Sequence, residues 1–426
     1  MRLLVLLPAA AALMFAAEVH TMTLRQAIDA AMKQNPDIAL ARLDEQRARY
    51  GVRAARDPFS PRLYAGSGLG YSWGIPQSVE GATPSIATVK GMMAIYNKPQ
   101  SYRATQAKEQ ENGAQVEVGR QQEEVAYRTA TLFLSAEQNI RSVEYIRKQV
   151  DSLTKAAGTV GTRVAEGREL PIEKKKADLA VAKMRHRQTE IEGDQLVLEA
   201  DLAMVLGMGP GDRVRPAREE RAALALPATE EESVAAALVG NKQIKGLESQ
   251  IHAKSLEVKS YLAERYPKID LVTSYALLAR FNGYDQFFNK FQRHNTQIGL
   301  SISVPLLVPP GAKAYAMQAE TDVAKLRAQI NQVRNKVSAD IREAYVGIRK
   351  AESARDVAKL DLDVTREQVG VVMARFEEGR ALLKDLEEAR VAEDEKWVVY
   401  FASQNAVERA RLELLRHSGT LMAALQ

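Results

Sequence analysis

Cysteine is absent from the 426 residues. That excludes a disulfide scaffold, a thiolate zinc or iron–sulfur centre, a cysteine nucleophile and a lipid-modified N-terminal cysteine. Aromatic residues are few, 9 Phe, 2 Trp and 14 Tyr, although 46% hydrophobic residues still allow a large buried surface. Charge of one sign is also lacking: 59 Lys and Arg against 54 Asp and Glu leave +5, too small an excess to argue for nucleic acid. Beyond the N-terminal segment no stretch approaches 18 uninterrupted apolar residues, so the mature chain has no transmembrane helix, and any entry into a membrane must be as strands. The five histidines (His20, His186, His252, His294, His417) show no metal-ligand spacing and read as solvated or packed. Gly66, Gly68 and Gly70 alternate within a strand pattern and lack the spacing of a nucleotide loop. No Ser/His/Asp arrangement stands out, so neither an enzyme nor a cofactor or metal site is expected.

Met1-Arg2, the apolar run Leu3–Phe15 and Ala16-Ala17 have the order of a secretory signal, with Phe15 an imperfect third residue back from a cut after Ala17. Residues 1–17 are therefore set aside as a signal peptide; the alternative is a buried N-terminal helix. What remains is duplicated. Asn35-Pro36-Asp37-Ile38 matches Asn241-Lys242-Gln243-Ile244, and Pro61-Arg62-Leu63 matches Pro267-Lys268-Ile269, both at an offset of 206. Gly158, Glu166-Gly167-Arg168 and Gly207 match Gly370, Glu378-Gly379-Arg380 and Gly419 at an offset of 212, so the second copy gains six residues between its strands and its late glycines. The copies span 18–206 and 230–426, and the proline-bearing stretch 207–229 is the linker.

Each copy reads as a helix, two strands and two helices. Thr23 suits an N-cap for a helix over Leu24–Asn35, which Pro36 kinks or restarts. Alternation over Arg62–Trp73, Lys268–Leu277 and Thr296–Leu306, and less cleanly over Ile86–Ile95, predicts strands with one apolar and one polar face. Those strands alone fit a sandwich as well as a membrane hairpin. Their length of about ten to twelve residues, the polar loops at Gly74–Pro84 and Asn282–Asn295, and Tyr71 and Trp73 at one end favour the membrane. Four strands cannot close a barrel and open edges are prohibitive in lipid, so insertion requires oligomers: a dimer gives eight strands, a trimer twelve with room for a pore.

After each hairpin comes a helical stretch of more than 60 residues. Its seam in the second copy runs through Val323, Leu326, Ile330, Val333, Val337, Ile341, Ala344, Ile348, Ala351, Ala354, Ala358, Leu362, Thr365, Val369, Val372 and Phe376, close to the coiled-coil spacing. The first copy has a looser seam through Val125, Leu132, Ala136, Val143, Val150 and Leu153. Each rod ends at a glycine turn, Glu166-Gly167-Arg168 or Glu378-Gly379-Arg380, from which a second long helix returns.

With these residues together, the sequence resembles the outer membrane factor family, the TolC-like export channels of Gram-negative bacteria. Leu24-Arg25-Gln26-Ala27-Ile28 followed by Asn35-Pro36, Pro305-Leu306-Leu307, and Phe376-Glu377-Glu378-Gly379 with Asp385-Leu386 and Ala389 carry the likeness, from Leu24 to about Leu421. The resemblance implies an α+β membrane channel: a homotrimer whose twelve-stranded barrel, four strands per chain, sits in the lipid of the outer membrane and continues as an α-helical coiled-coil barrel in the periplasm. It implies a passive conduit of a tripartite efflux or type I secretion system. A periplasmic adaptor would meet the tip turns Glu166, Gly167, Arg168, Glu378, Gly379 and Arg380, and an inner-membrane transporter would supply the energy. It places the periplasmic entrance at Glu173, Phe376, Asp385 and Glu388, where carboxylates favour positive solutes; Lys174-Lys175-Lys176 offset them. The plainer reading of those carboxylates is a solvated helix face. The alternative for the whole chain is a periplasmic coiled-coil scaffold without channel activity; a periplasmic hydrolase ranks below both.

Overall fold

A computed structural model describes residues 18–68, 85–219, 229–279, 292–307 and 310–425. The signal segment, Tyr71 and Trp73, the loop 74–84 and most of the second hairpin loop lie outside the described residues. In the first copy the order is β1 (Val19–Met22), α1 (Leu24–Gln34), α2 (Pro36–Arg56), β2 (Arg62–Gly68), β3 (Ser85–Asn97), α3 (Lys98–Ala165), α4 (Pro171–Leu206) and β4 (Arg213–Pro216). The second has α5 (Glu230–Gly240), α6 (Lys242–Leu262), β5 (Lys268–Leu278), β6 (His294–Ser303), α7 (Pro310–Glu377), α8 (Leu383–Ser418) and α9 (Leu421–Leu425).

The duplication holds helix by helix, α1–α4 against α5–α8. α1 and α5 have 11 residues each, α2 and α6 have 21, α3 and α7 have 68, and α4 and α8 have 36. β3 and β6 end 206 positions apart whereas α3 and α7 begin 212 apart, which puts the six added residues at 304–309. The third alternating run consequently stops at Ser303, not at Leu306: Pro305 has no N–H for a ladder, and the chain leaves the sheet ahead of it.

Local chemistry sets the boundaries. Thr23 Oγ1 accepts from the Gln26 N–H at 3.3 Å while the Gln26 side chain accepts from the Thr23 N–H at 3.0 Å, a reciprocal cap that starts α1. Pro36 restarts the helix as α2. The buried Asn35 makes that break stable: its Oδ1 accepts from the N–H groups of Asp37 and Ile38, and its Nδ2 donates to the Val205 carbonyl at 2.7 Å. Thr229 repeats the capping role for α5, accepting from the Glu232 N–H.

The chain divides into two compact units, one of residues 1–40, 119–241 and 335–426, the other of 41–118 and 242–334. In the second unit β2, β3, β5 and β6 form one antiparallel sheet in that order, so the two hairpins join through β3 and β5. Register puts Leu63, Gly91, Thr273 and Ile298 in one row and Tyr64, Lys90, Ser274 and Gln297 in the next, on opposite faces. The apolar face is open: Leu63 is 72% and Ile298 76% exposed. Among the described residues β2 and β6 each have a strand on one side only.

In the first unit α1, α3, α4 and β4 close around Phe133, Leu202, Leu206 and Val214. The long seam is largely as read: Val323, Ile330, Val337, Ile341, Ile348, Leu362, Val369 and Phe376 are buried, although Ala354 is exposed. Two short strands were not anticipated. The linker stretch carries β4, which pairs in parallel with β1. Glu199 on α4, fully buried, anchors that pair: it accepts from Arg215 Nε at 2.7 Å and from Gln195 Nε2 at 3.0 Å. No helix among the described residues is long and apolar enough to cross a membrane.

Candidate functional site

The two turns that end α3 and α7 are near copies. Gly167 and Gly379 have φ of 72° and 73°, the left-handed region that side chains resist. In the first turn the N–H of Arg168 donates to the Arg163 carbonyl and that of Gly167 to the Val164 carbonyl; in the second, Arg380 reaches Arg375 and Gly379 reaches Phe376. This double closure satisfies the last helical carbonyls and reverses the chain. Glu166 pairs with Arg168 at 3.2 Å and Glu378 with Arg380 at 3.1 Å, all on the surface. Leu170 and Leu382, the residues before α4 and α8, are 68% and 70% exposed. Sequence reading passed over this leucine pair, though the offset of 212 marks it.

Behind the turns lies a small core of Ala157, Val160, Ala177, Phe376 and Leu386. Phe376 is buried there, with the Arg163 guanidinium 4.9 Å from its ring centroid and Arg163 also paired to Glu169 at 3.3 Å.

The carboxylates singled out by sequence sit in different environments. Glu173, in the first turn of α4, accepts from Lys176 Nζ at 2.7 Å. Asp385 Oδ2 accepts from the Leu382 N–H at 2.9 Å, so this side chain caps α8 as well as carrying charge. Glu388 is two-thirds exposed and pairs loosely with Lys384 at 3.6 Å. Glu173 and Glu388 line one groove of about 1300 Å³ between α4 and α8, and Glu387 lines it with them. Burial, then the charge of Glu173 opposite, raises the Glu387 carboxyl above the usual range, while Lys176 and Lys183 pull it back. The fold thus brings Glu173 and Glu387 together. The resemblance named Glu388, which lines the same groove, and not Glu387. Among the described residues no cluster of three metal-binding side chains occurs.

The profile of the outer membrane efflux protein family matches residues 27–208 and 234–425. Among curated protein sequences none matches the chain. Several solved structures share its fold. A membrane protein from Pseudomonas aeruginosa is 15% identical, with 93% of this chain and 90% of that one covered and a TM-score of 0.75. The outer membrane protein VceC of Vibrio cholerae is 17% identical, covering 93% and 96%, with a TM-score of 0.74. The Campylobacter jejuni CmeC outer membrane channel is 12% identical, covering 93% and 86%, with a TM-score of 0.76.

Proposed function

The chain belongs to the outer membrane efflux protein family and is an outer-membrane efflux channel with a periplasmic helical part; on that premise we propose how it is completed and what it joins. Three copies associate, β2 of one pairing with β6 of the next, to close a twelve-stranded barrel in outer-membrane lipid. The observation that carries this is the four-stranded sheet itself: its apolar face is exposed, and β2 and β6 are bonded on one side only among the described residues. A periplasmic scaffold would leave that face in water with no use for it.

The two repeats, 18–206 and 230–426, each supply one strand hairpin and one helical hairpin, joined by 207–229. Transport through the conduit is passive, and an inner-membrane transporter supplies the energy, whether for efflux or for type I secretion. The tip turns Glu166–Arg168 and Glu378–Arg380, with the exposed Leu170 and Leu382 beside them, dock a periplasmic adaptor protein. Glu173, Asp385 and Glu388, with Glu387, form the acidic lining of the entrance and favour positively charged solutes, while Phe376 supports the turn from inside.

The chain's lack of cysteine makes a direct test simple. A cysteine at Ala65 on β2, combined in turn with one at Thr296, Ile298 or Leu300 on β6, joins opposite edges of one sheet only through another copy. Oxidation in outer membranes is expected to give a covalent ladder ending at the trimer; monomer alone at every pairing refutes the closure.

A further inference from the structure

About three turns beyond the start of α8, a polar and aromatic cluster joins α3, α7 and α8. Tyr145 of α3 packs against Trp397 of α8, ring centroids 5.1 Å apart and the planes tilted by 42°. The Tyr145 hydroxyl accepts from Gln149 Nε2 at 2.6 Å, and Gln149 Oε1 accepts from Arg390 of α8 at 3.4 Å. From α7, the Arg366 guanidinium lies 5.7 Å from the Trp397 ring centroid, and Asp361 pairs with Lys396 at 2.7 Å. Asp394 sits among these groups. Both its carboxyl oxygens are closed off from solvent, and neither has a hydrogen bond of ordinary geometry among the described residues. Asp394 also lines the α4–α8 groove, together with Lys183, Arg187, Glu387 and Glu395.

A dry carboxylate whose nearest donor, the Tyr145 hydroxyl, is not placed for an ordinary hydrogen bond is costly, whereas the neutral acid is tolerated there. We propose that Asp394 is a proton-operated latch between the two helical hairpins: its neutral carboxyl lets α8 lie dry against α3, and its ionised form draws water from the adjoining groove and loosens that contact. Burial first, then the charges of Glu393 and Glu395, hold this carboxyl up to about 7, against the opposing pull of the Tyr145 hydroxyl and of Arg390. An acid whose folded value is raised favours the packed form at low pH, and that advantage is lost as pH rises through the raised value. The closed latch therefore belongs below about pH 7 and the loosened one above it. The inference does not depend on which partners the tips bind.

Trp397 reports on the latch once Trp73, the other of the chain's two tryptophans, is replaced. In the full-length Trp73→Phe protein, Trp397 emission is expected to titrate with a midpoint near pH 7, with acrylamide quenching about twofold stronger a pH unit above the midpoint than a unit below it. Adding Asp394→Asn, which mimics the neutral acid, removes both changes; adding Glu387→Gln, the groove's other raised carboxyl, leaves them. Flat emission and equal quenching across that range overturn the proposal. So does a titration that survives Asp394→Asn, or one that disappears with Glu387→Gln. The quenching comparison is made on Trp73→Phe alone, so it decides even if the Asn variant folds poorly.

Discussion

Asp385 caps α8 and, in the proposed function, charges the entrance, and a pair of substitutions separates the two. Its Oδ2 accepts the Leu382 N–H at 2.9 Å at the start of α8, and its charge stands one turn from Glu388. Asp385→Asn keeps an acceptor at the same reach and removes the charge; Asp385→Ala removes both. Loss of a helix-start acceptor of this kind costs about 1 kcal/mol, felt at the end of a 36-residue helix whose first turn packs Leu386 into the tip core. Like charges about 6 Å apart repel by about 0.7 kcal/mol in water, more where the entrance excludes solvent. The Asn variant should therefore unfold with the wild type in a thermal scan followed at the helical circular dichroism band, and the Ala variant measurably earlier. In planar bilayers, block of single-channel current by millimolar divalent cations should weaken in both variants alike. Block that persists unchanged in both refutes the entrance role and leaves a solvated, capping carboxylate. An Ala variant as stable as Asn removes the cap from the account.

Two further outcomes follow from the same packing. Glu199→Ala leaves Arg215 and Gln195 without their buried acceptor; removing one partner of a buried pair costs about 3–5 kcal/mol, reduced here to about 2–3 because Arg215 is half-exposed and regains water. Chemical denaturation should show that loss and a smaller one for Glu199→Gln, whereas a change below about 1 kcal/mol shows that the clamp contributes little. Gly379→Val forces a β-branched residue to a φ of 73°; at about 1–2 kcal/mol or more of strain, the turn reorganises, and limited proteolysis should cut at this tip faster than at the untouched Gly167 turn.

Most of the architecture was legible because it is periodic. The α7 seam recurs near 3.5 residues and is buried at Val337, Ile341, Leu362 and Phe376; the strands alternate because one face of the sheet is apolar and the other polar. What escaped has no period. β1 and β4 are four residues each and pair across 194 positions, too short for alternation to register. Glu387 and Glu388 both line the α4–α8 groove, and which of the two is the more buried is a tertiary fact. Asp394 reads on paper as one more acid in a charged helix; only tertiary packing, which brings Tyr145 of α3 beside it, closes its carboxyl off from solvent.

The duplication preserved geometry while the chemistry of the copies diverged, and the divergence is ordered. Both helical hairpins close with the same glycine geometry and both long helices have the same length. The first turns beyond the tips differ in sign: Lys174, Lys175 and Lys176 against Glu173 on α4, but Asp385, Glu387 and Glu388 against Lys384 on α8. Within one chain this complementarity is already used, since Lys176 and Lys183 face Glu387 across the α4–α8 groove and lower the cost of burying it. In the closed ring proposed above, hairpins of the first and second kind would alternate, so each hairpin would have the opposite kind on both sides. Two identical acidic tips would then never be nearest neighbours, and the acidic entrance would be interleaved with lysines that limit its self-repulsion. An identical duplication would place like charges side by side all round such a ring, an arrangement that the charge differences between the copies would avoid.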